Sequence, residues 1–425
     1  MARTLICGHS RSASIFLTTV LFFMMAFLLV GGNRNNAGMM QASLVYLVFM
    51  TVLAYLLFRS GRVHRYRSIF FSVYAIAFVL NFIPILLETR GHIALTGRDI
   101  ANLDTPLCHL TIPMLILPGL VYGVLIFPTK LFANMGFYPM LFLWLGATVV
   151  LGKGWCSWGC FYGGLDEFFS KLLPKRIVSS RKFNYSLRWF PFALLLVIVV
   201  WSFLALDPVY CTWLCPFKTI TEFAEVTDLP SYLAMLLFVI LFFGLAIVLP
   251  ILTRKRVQCM SLCPFGAFQS LTGKIAPYRV RIDRSKCVDC GACVAACPTL
   301  SLDEESVRKG KTLVTCTLCG ECLAACPKGA IDYAFGWSRA CGTKERLFEK
   351  TRSRIEASAA ASGRRPGIGA RFALGALRTI DELLSARILM ITCGYIFGCI
   401  LGGSFASGTI LRLWNLLSTG SFALK

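Results

Sequence analysis

Apolar residues occur along this chain in long runs that short polar segments separate. The runs cover residues 13–31, 39–58, 68–87, 137–152, 189–206, 231–252 and 386–406. A helix needs roughly 20 apolar residues to cross a hydrocarbon core about 30 Å thick. The first run has no small-residue cleavage site after it, so we interpret it as a retained helix and not a signal peptide. The pattern therefore predicts a polytopic α-helical membrane protein.

The segment 107–135 is also apolar, but prolines make it a poor single helix. They stand at Pro106, Pro113, Pro118 and Pro128. The loops 59–67 and 153–188 and the segment after 252 are basic, and basic loops are typical of the cytoplasmic side. Placing all three inside leaves one net crossing between residues 88 and 153, which the run 137–152 supplies. We therefore expect 107–135 to be a re-entrant segment on the outer side, buried by protein. If 107–127 spans instead, the basic loops fall on opposite sides.

Composition supports a membrane protein and changes the meaning of the charge. Only 15% of the 425 residues are charged, against about 25% in soluble domains. The formal net charge of +22 would suggest nucleic acid in a soluble chain. Here basic loops facing anionic lipid explain it better. We expect the bacterial inner (cytoplasmic) membrane as the location, membrane lipid as a partner, and no nucleic acid.

The polarity pattern also divides the chain into five parts. We expect N-terminal membrane helices at 1–105, a membrane core with cysteine motifs at 106–273, and a polar cysteine-rich domain at 274–337. A basic linker with an interfacial amphipathic helix should follow at 338–385, and a last membrane helix with its tail at 386–425.

The domain at 274–337 has the strongest motif, "CVDCGACVAACP" followed by "CTLCGECLAACP". Each part reads C-x2-C-x2-C-x3-C-P, the pattern of bacterial two-cluster ferredoxins, in which the fourth cysteine of each run ligates the other cluster. This predicts one [4Fe–4S] cluster on Cys287, Cys290, Cys293 and Cys326. It predicts the other on Cys316, Cys319, Cys322 and Cys297. Zinc also accepts C-x2-C pairs, but the third cysteine and the C-P ending disfavour it.

Three further pairs have C-x3-C spacing, and each lies at the end of an apolar run. Under the predicted topology Cys156, Cys160, Cys259 and Cys263 share the inner side, and four thiolates make one [4Fe–4S] ligand set. Cysteines at i and i+4 of one helical turn would point from one face. The alternative is that small thiols simply pack between helices, as we expect for Cys7, Cys341, Cys393 and Cys399.

The third pair belongs to the outer side in this topology. Cys211 and Cys215 would meet Cys108 there, at the mouth of the re-entrant segment. His109 is the candidate fourth ligand, because imidazole replaces thiolate in some clusters. A hydrogen-bonding role for His109 is the other interpretation. We call Cys156, Cys160, Cys259 and Cys263 the inner set, and Cys108, Cys211 and Cys215 the outer set.

These motifs together resemble the membrane-bound polyferredoxin family, which includes the membrane ferredoxin of periplasmic nitrate reduction and the regulator of nitrous-oxide reductase. The resemblance covers about residues 105–335. It is carried by Cys156, Trp158 and Cys160, by the two later pairs, and by Cys287 to Cys326. Ser157 and Phe161 depart from the family's usual Gly and Pro, and "CHLTIP" matches no family turn.

The resemblance implies electron transfer between the membrane quinone pool and a redox partner protein or respiratory complex. Two [4Fe–4S] clusters are expected in a cytoplasmic α+β ferredoxin domain, one or two more in the membrane core, and quinone as a further cofactor. A quinone-linked oxidoreductase subunit is one option for the activity. The alternatives are a maturation or activation factor for a respiratory metalloenzyme, and a redox sensor.

Overall fold

The computed structural model describes residues 11–31, 36–88, 108–123, 137–178, 185–221, 229–336 and 383–421, with short pieces between 351 and 381. Most of the described chain is helical. The longer helices are Arg11–Met25, Ala37–Ser60, Val63–Glu88, Ile112–Tyr122, Phe137–Leu151, Phe190–Ala205, Leu229–Leu241 and Ala386–Thr419. The first continues as a π-helix over Ala26–Val30, and the seventh continues over Phe242–Val248 into Leu249–Thr253.

Between and after these lie shorter elements, and most of the cysteines lie in or directly beside them. The short helices are Trp155–Trp158, Phe161–Ser170, Val209–Trp213, Lys218–Thr221, Val257–Ser261, Pro264–Thr272, Ala292–Ala296, Glu304–Arg308 and Glu321–Ala325. Single 3₁₀ turns occur at His109–Thr111, Gly152–Gly154, Tyr185–Trp189 and Gly273–Ile275.

Among the residues that the structure describes, five helical stretches are long and apolar enough to cross a membrane, and the protein is a multi-pass membrane protein. They are Ala13–Val30, Ala37–Ser60, Ser186–Ala205, Tyr232–Thr253 and Ala386–Gly403. The expected spans 68–87 and 137–152 are helical too, but they are not among the five. The first belongs to a helix that begins with charged residues, and the second to a helix of 15 residues.

The expected re-entrant segment is described only at residues 108–123. There a 3₁₀ turn leads into Ile112–Tyr122, which contains Pro118 and ends at Gly123. The part that would return to the outer side, from 124 to 136, lies outside the described residues. Most of the linker at 338–385 lies outside them as well, so both expectations stay predictions.

The last helix packs against the second and third long helices through polar contacts as well as apolar ones. Tyr395 donates to the carbonyl of Met50, and Thr409 donates to the carbonyl of Ala77 at 2.7 Å. Hydrogen bonds of this kind join helices that have little water to compete for them. The C-terminal helix is thereby part of the core.

The cysteine-rich domain is built on two short strands. Tyr278–Ile282 (β1) pairs antiparallel with Ile331–Phe335 (β2), and Tyr278 stands opposite Phe335. Alternate side chains of β1 are buried, as expected for a strand with one covered face. Between the strands the chain forms three one-turn helices and the cysteine loops.

Candidate metal centres

The thiols of each predicted ferredoxin ligand set surround one cavity. The first set, Cys287, Cys290, Cys293 and Cys326, lines one cavity. The second set, Cys297, Cys316, Cys319 and Cys322, lines another. The structure therefore brings together the residues that the crossed pairing requires. Ligation by these eight residues stays a prediction.

Local structure explains how one short segment surrounds two cavities. The helix Ala292–Ala296 separates Cys293 of the first set from Cys297 of the second, and Glu321–Ala325 does the same for Cys322 and Cys326. One helical turn thus spans the distance between neighbouring sets. Gly291 and Gly320 begin these helices with φ of 69° and 81°, a region that favours glycine.

Backbone donors point at the last sulfur of each run. The N–H of Ser301 lies 3.2 Å from Cys297 Sγ, and that of Ala330 lies 3.3 Å from Cys326 Sγ. Hydrogen bonds to cluster sulfurs help to set the reduction potential. The loops that follow the C-P ending therefore have a direct role at each site.

The inner set also meets at one cavity, although its residues are about a hundred positions apart. Cys156, Cys160, Cys259 and Cys263 all line it. Cys156 and Cys160 come from the turn after Phe137–Leu151, and the other two from the turn after Leu249–Thr253. Two separate membrane helices thus contribute two thiols each.

The expectation that each C-x3-C pair lies on one helical turn is wrong. The helix Trp155–Trp158 ends before Cys160, and Val257–Ser261 ends before Cys263. Cys160 and Cys263 have extended backbone, with ψ of 113° and 104°. After Cys263, Pro264 opens the next helix, and a residue before proline is restricted to extended conformations.

This break places the second sulfur of the later pair at the start of a helix. Cys263 Sγ accepts a hydrogen bond from the N–H of Gly266 at 3.3 Å. The positive end of a helix favours negative charge on a group at that place. Sequence spacing predicted the pair, but not this stabilisation of its thiolate.

The expected separation of the inner and outer sets across the membrane is also wrong. Tyr162 lines the cavity of the inner set, and its hydroxyl lies 3.7 Å from Cys108 Sγ. Cys215 belongs to the same buried cluster as Cys156 and Cys160, and Cys211 packs against that cluster. The two sets lie side by side because the 3₁₀ turn at His109–Thr111 sits inside the protein core and not at a distant surface.

His109 faces the inner set instead of completing the outer one. Its Nε2 lies 3.3 Å from Cys160 Sγ, and its ring packs edge-on against Trp155, Phe161 and Phe265. The side chain is buried, so it has little access to other partners. The hydrogen-bonding role fits this arrangement, and ligation of the outer set by His109 does not.

The inner set and the second ferredoxin set share a wall. Thr299 and Thr317 line both cavities. The Thr317 hydroxyl is buried and has no hydrogen-bond partner among the described residues. Buried hydroxyls are nearly always satisfied, so a sulfur-rich group between these walls would supply the missing acceptor. Nothing in the sequence singled out either threonine.

Buried cations hold the ligand turns together. Arg67, fully buried, donates to the carbonyls of Cys319 and Ser157, both at 2.9 Å. It also forms two bonds to Glu167. Arg67 thus joins a ferredoxin loop to the first membrane turn.

Two residues of the basic "TRKR" segment have similar roles. Lys255 donates to the carbonyl of Cys297, and Arg256 donates to that of Cys156 and forms an ion pair with Glu167. The basic sequence of this segment indicated only its side of the membrane and contact with lipid. Its last two residues, Lys255 and Arg256, are buried against the cysteine turns instead.

The donor set fits an iron–sulfur group. Four thiols line each of three cavities, and four thiolates make one [4Fe–4S] ligand set. Burial raises the pKa of Cys316 to about 12 and that of Cys293 to about 11. Such thiols ionise only when a positive group such as iron compensates the charge.

Comparison with known families agrees with this assignment. The family described as 4Fe-4S dicluster domain matches residues 279–327. The family described as 4Fe-4S binding domain matches residues 134–180, 187–227 and 235–282, so each match contains one C-x3-C pair. These matches support assignment of the chain to a polyferredoxin-like 4Fe-4S family. This polyferredoxin therefore binds iron–sulfur clusters.

Curated relatives point to the same family. The polyferredoxin is 24% identical over 165 residues to the "Putative electron transport protein YccM" of Escherichia coli (strain K12), covering 38% of this chain and 45% of that protein. It is 28% identical over 195 residues to the methylamine utilization ferredoxin-type protein MauN of Methylobacillus flagellatus, covering 44% of this chain and 61% of that protein. MauN of Paracoccus denitrificans is 40% identical over 55 residues, covering 13% of this chain and 19% of that protein. The chain thus spans less than two thirds of each relative, and no solved structure matches it.

Proposed function

We propose that this polyferredoxin is a membrane-bound electron-transport protein, which passes electrons between the quinone pool, its own [4Fe–4S] clusters and a redox partner enzyme. The names of YccM and MauN, an electron transport protein and a ferredoxin-type protein, support this class. When bound, such clusters exchange single electrons at potentials set by burial, charge and hydrogen bonds to sulfur. The chain's own residues decide where the clusters sit and how close they come.

One observation carries the proposal: each cysteine set adjoins the next, and we call this succession of sets the row. One-turn helices connect the two ferredoxin sets. Thr299 and Thr317 separate the second ferredoxin set from the inner set, and Tyr162 separates the inner set from Cys108. Each step crosses the thickness of a side chain or a helical turn, so no long gap interrupts the row.

The residues around this row fix it and exclude water. Arg67, Lys255 and Arg256 bind carbonyls of ligand turns from both halves of the protein. His109, Tyr162 and Phe265 are buried beside the inner set. A rigid and dry environment keeps distances fixed and reduces the reorganisation that accompanies a change of charge.

The orientation and the end points belong to the proposal as well. The basic loops favour a ferredoxin domain on the cytoplasmic side of the inner membrane, where it would meet a soluble or membrane-bound redox partner. The outer set would then be the end of the row that is available to quinone. We assign three [4Fe–4S] clusters to complete four-thiol sets, and the three outer thiols to a fourth site that needs one more ligand.

The test uses the purified full-length chain, kept anaerobic. Three clusters give about 12 Fe per chain, four give about 16, and the ferredoxin domain alone gives about 8. Quinol should reduce the clusters, as followed by electron paramagnetic resonance. Clusters that are present but do not respond to quinol or to a respiratory partner would contradict the proposal. An apo metalloenzyme alongside normal quinol oxidation in a deletion strain would indicate the maturation role instead.

A further inference from the structure

A basic cavity lies between the membrane helices and the ferredoxin domain, beside the cavities of the inner set and the second ferredoxin set. Its volume is about 330 Å³, within the range of small-molecule sites. Five positive side chains line it, and no described Asp or Glu does: Lys153, Lys274, Arg279, Arg281 and Lys311. A concave surface with one sign of charge concentrates the electric field inside it.

The strand geometry brings like charges together. Arg279 and Arg281 are two residues apart on β1, so both project from the same face. Lys311 is the bridge partner of Arg281 across the neighbouring segment. Like charges directly opposite each other destabilise a sheet. Asp332 stands opposite Arg281 on β2, so an anion in the cavity would chiefly offset the charge of Lys311.

Hydrogen bonds to neutral acceptors orient two of these side chains. Arg279 donates to the carbonyls of Lys274, Ala276 and Tyr278, and Lys153 donates to the hydroxyl of Ser270. The cavity lining therefore offers an anion five positive side chains and no described carboxylate.

The five positive side chains are not all needed to compensate the negative charge of the cluster thiolates. Cys316 lines the same cavity, and Arg279 is beside it, so part of the charge serves the second ferredoxin set. Lys274 and Lys311 are exposed. Water and salt screen exposed charges from buried thiols, so the two lysines have little effect there. Their position suits a ligand that enters from outside.

We propose that this cavity binds a phosphate group, carried either by an anionic phospholipid or by a soluble phosphate compound. Arginine and lysine side chains are the usual phosphate ligands in proteins. The hydroxyls of Ser270 and Thr312 add neutral polar surface, and Leu151 and Leu313 add apolar surface beside them. A cavity of this size accepts a headgroup but not the surface of a protein.

The test compares two doubly neutralised variants of the full-length, cluster-loaded chain. Lys274→Gln/Lys311→Gln changes the mouth of the cavity. Lys286→Gln/Lys309→Gln removes the same charge from exposed positions of the same domain, outside the cavity. Binding of inorganic phosphate is measured by equilibrium dialysis in phosphatidylcholine nanodiscs. Retention of phosphatidylglycerol after delipidation is measured by native mass spectrometry. Equal iron content in all three proteins shows that folding is intact.

We expect the cavity variant to weaken binding about tenfold or more, because charged hydrogen bonds to phosphate contribute strongly. The control variant should bind as the unmodified chain does. Retention of phosphatidylglycerol without binding of inorganic phosphate identifies a lipid headgroup, and the reverse identifies a soluble ligand. The proposal is overturned if neither probe binds, or if the two variants lose binding equally.

Discussion

The ferredoxin domain and the membrane core both collect cysteines around cavities, but they do so in different ways. In the ferredoxin domain, eight cysteines from one stretch of forty residues (287–326) form two sets. In the membrane core, the inner set joins turns about a hundred residues apart, and the outer set lies beside it. Short-range spacing is sufficient in the first region, whereas the second depends on helix packing and on buried cations.

The largest expected effect separates the two regions directly. Cys263→Ala should remove about four iron atoms per chain, because one corner of the inner set is lost. The ferredoxin clusters should persist, since their ligands come from another segment. Iron and acid-labile sulfide analysis with electron paramagnetic resonance measures both. Cys399→Ala, a buried cysteine of the last helix, should leave the iron content unchanged, and an unchanged content in Cys263→Ala would refute the inner set.

A second change tests whether buried cations hold the core turns. Arg67→Met should destabilise the protein by about 3 kcal/mol, because removing one partner of a buried pair leaves the other uncompensated. Glu167 keeps Arg256 and Lys171 as partners, which limits the loss. The temperature at which the cluster absorbance disappears measures the effect.

The matched control for this change is Arg308→Met. Its ion pair with Glu304 is exposed, with 74% and 89% of the side chains accessible, and exposed pairs contribute little. Equal thermal shifts in the two variants would mean that Arg67 has no special role in joining the ferredoxin loop to the membrane turn.

A third change adjusts a single hydrogen bond at the inner set. His109→Phe should lower the reduction potential of that centre by on the order of 40 mV, the equivalent of about 1 kcal/mol for one electron. An N–H donated to a sulfur stabilises the more negative, reduced state, so its loss favours oxidation. His109→Gln keeps a donor and should shift the potential less. A potentiometric titration in which both variants match the unmodified chain would contradict this role.

The smallest expected effect concerns the contact between Arg188 and the ferredoxin domain. Burial alone would raise the pKa of Asp303, but hydrogen bonds from Ser306 and Arg188 lower it overall. A lowered pKa means that this stabilisation is present above the unfolded value of about 4 and is lost as pH falls through the folded value. Asp303→Asn should therefore cost about 1 kcal/mol or less.

The direction of this pKa shift also determines how the contact depends on pH. Between about pH 6 and 8 the carboxylate stays ionised, so the difference in thermal midpoint between Asp303→Asn and the unmodified chain should be constant. A difference that grows or vanishes within this range would show that another group controls the contact. Glu304→Gln, exposed on the same short helix, provides the control.

Several features follow from the sequence alone because they depend on local pattern. Apolar runs predicted the long helices, since burial in lipid requires length and composition and little else. The spacing around Gly291 and Gly320 predicted two crossed ligand sets, since three thiols on one tight loop can reach only neighbouring corners. The structure places each of those sets around its own cavity.

Only the tertiary structure decided the arrangement of the membrane core. Charge counting predicts which side a loop is on, but not how deeply an irregular segment enters the protein, so the expected distance between the inner and outer sets was wrong. Arg67, Lys255 and Arg256 looked like lipid-facing charge because sequence composition cannot distinguish an exposed cation from one that binds buried carbonyls. Those contacts join residues far apart in the chain, and long-range contacts leave no periodic trace in a single sequence.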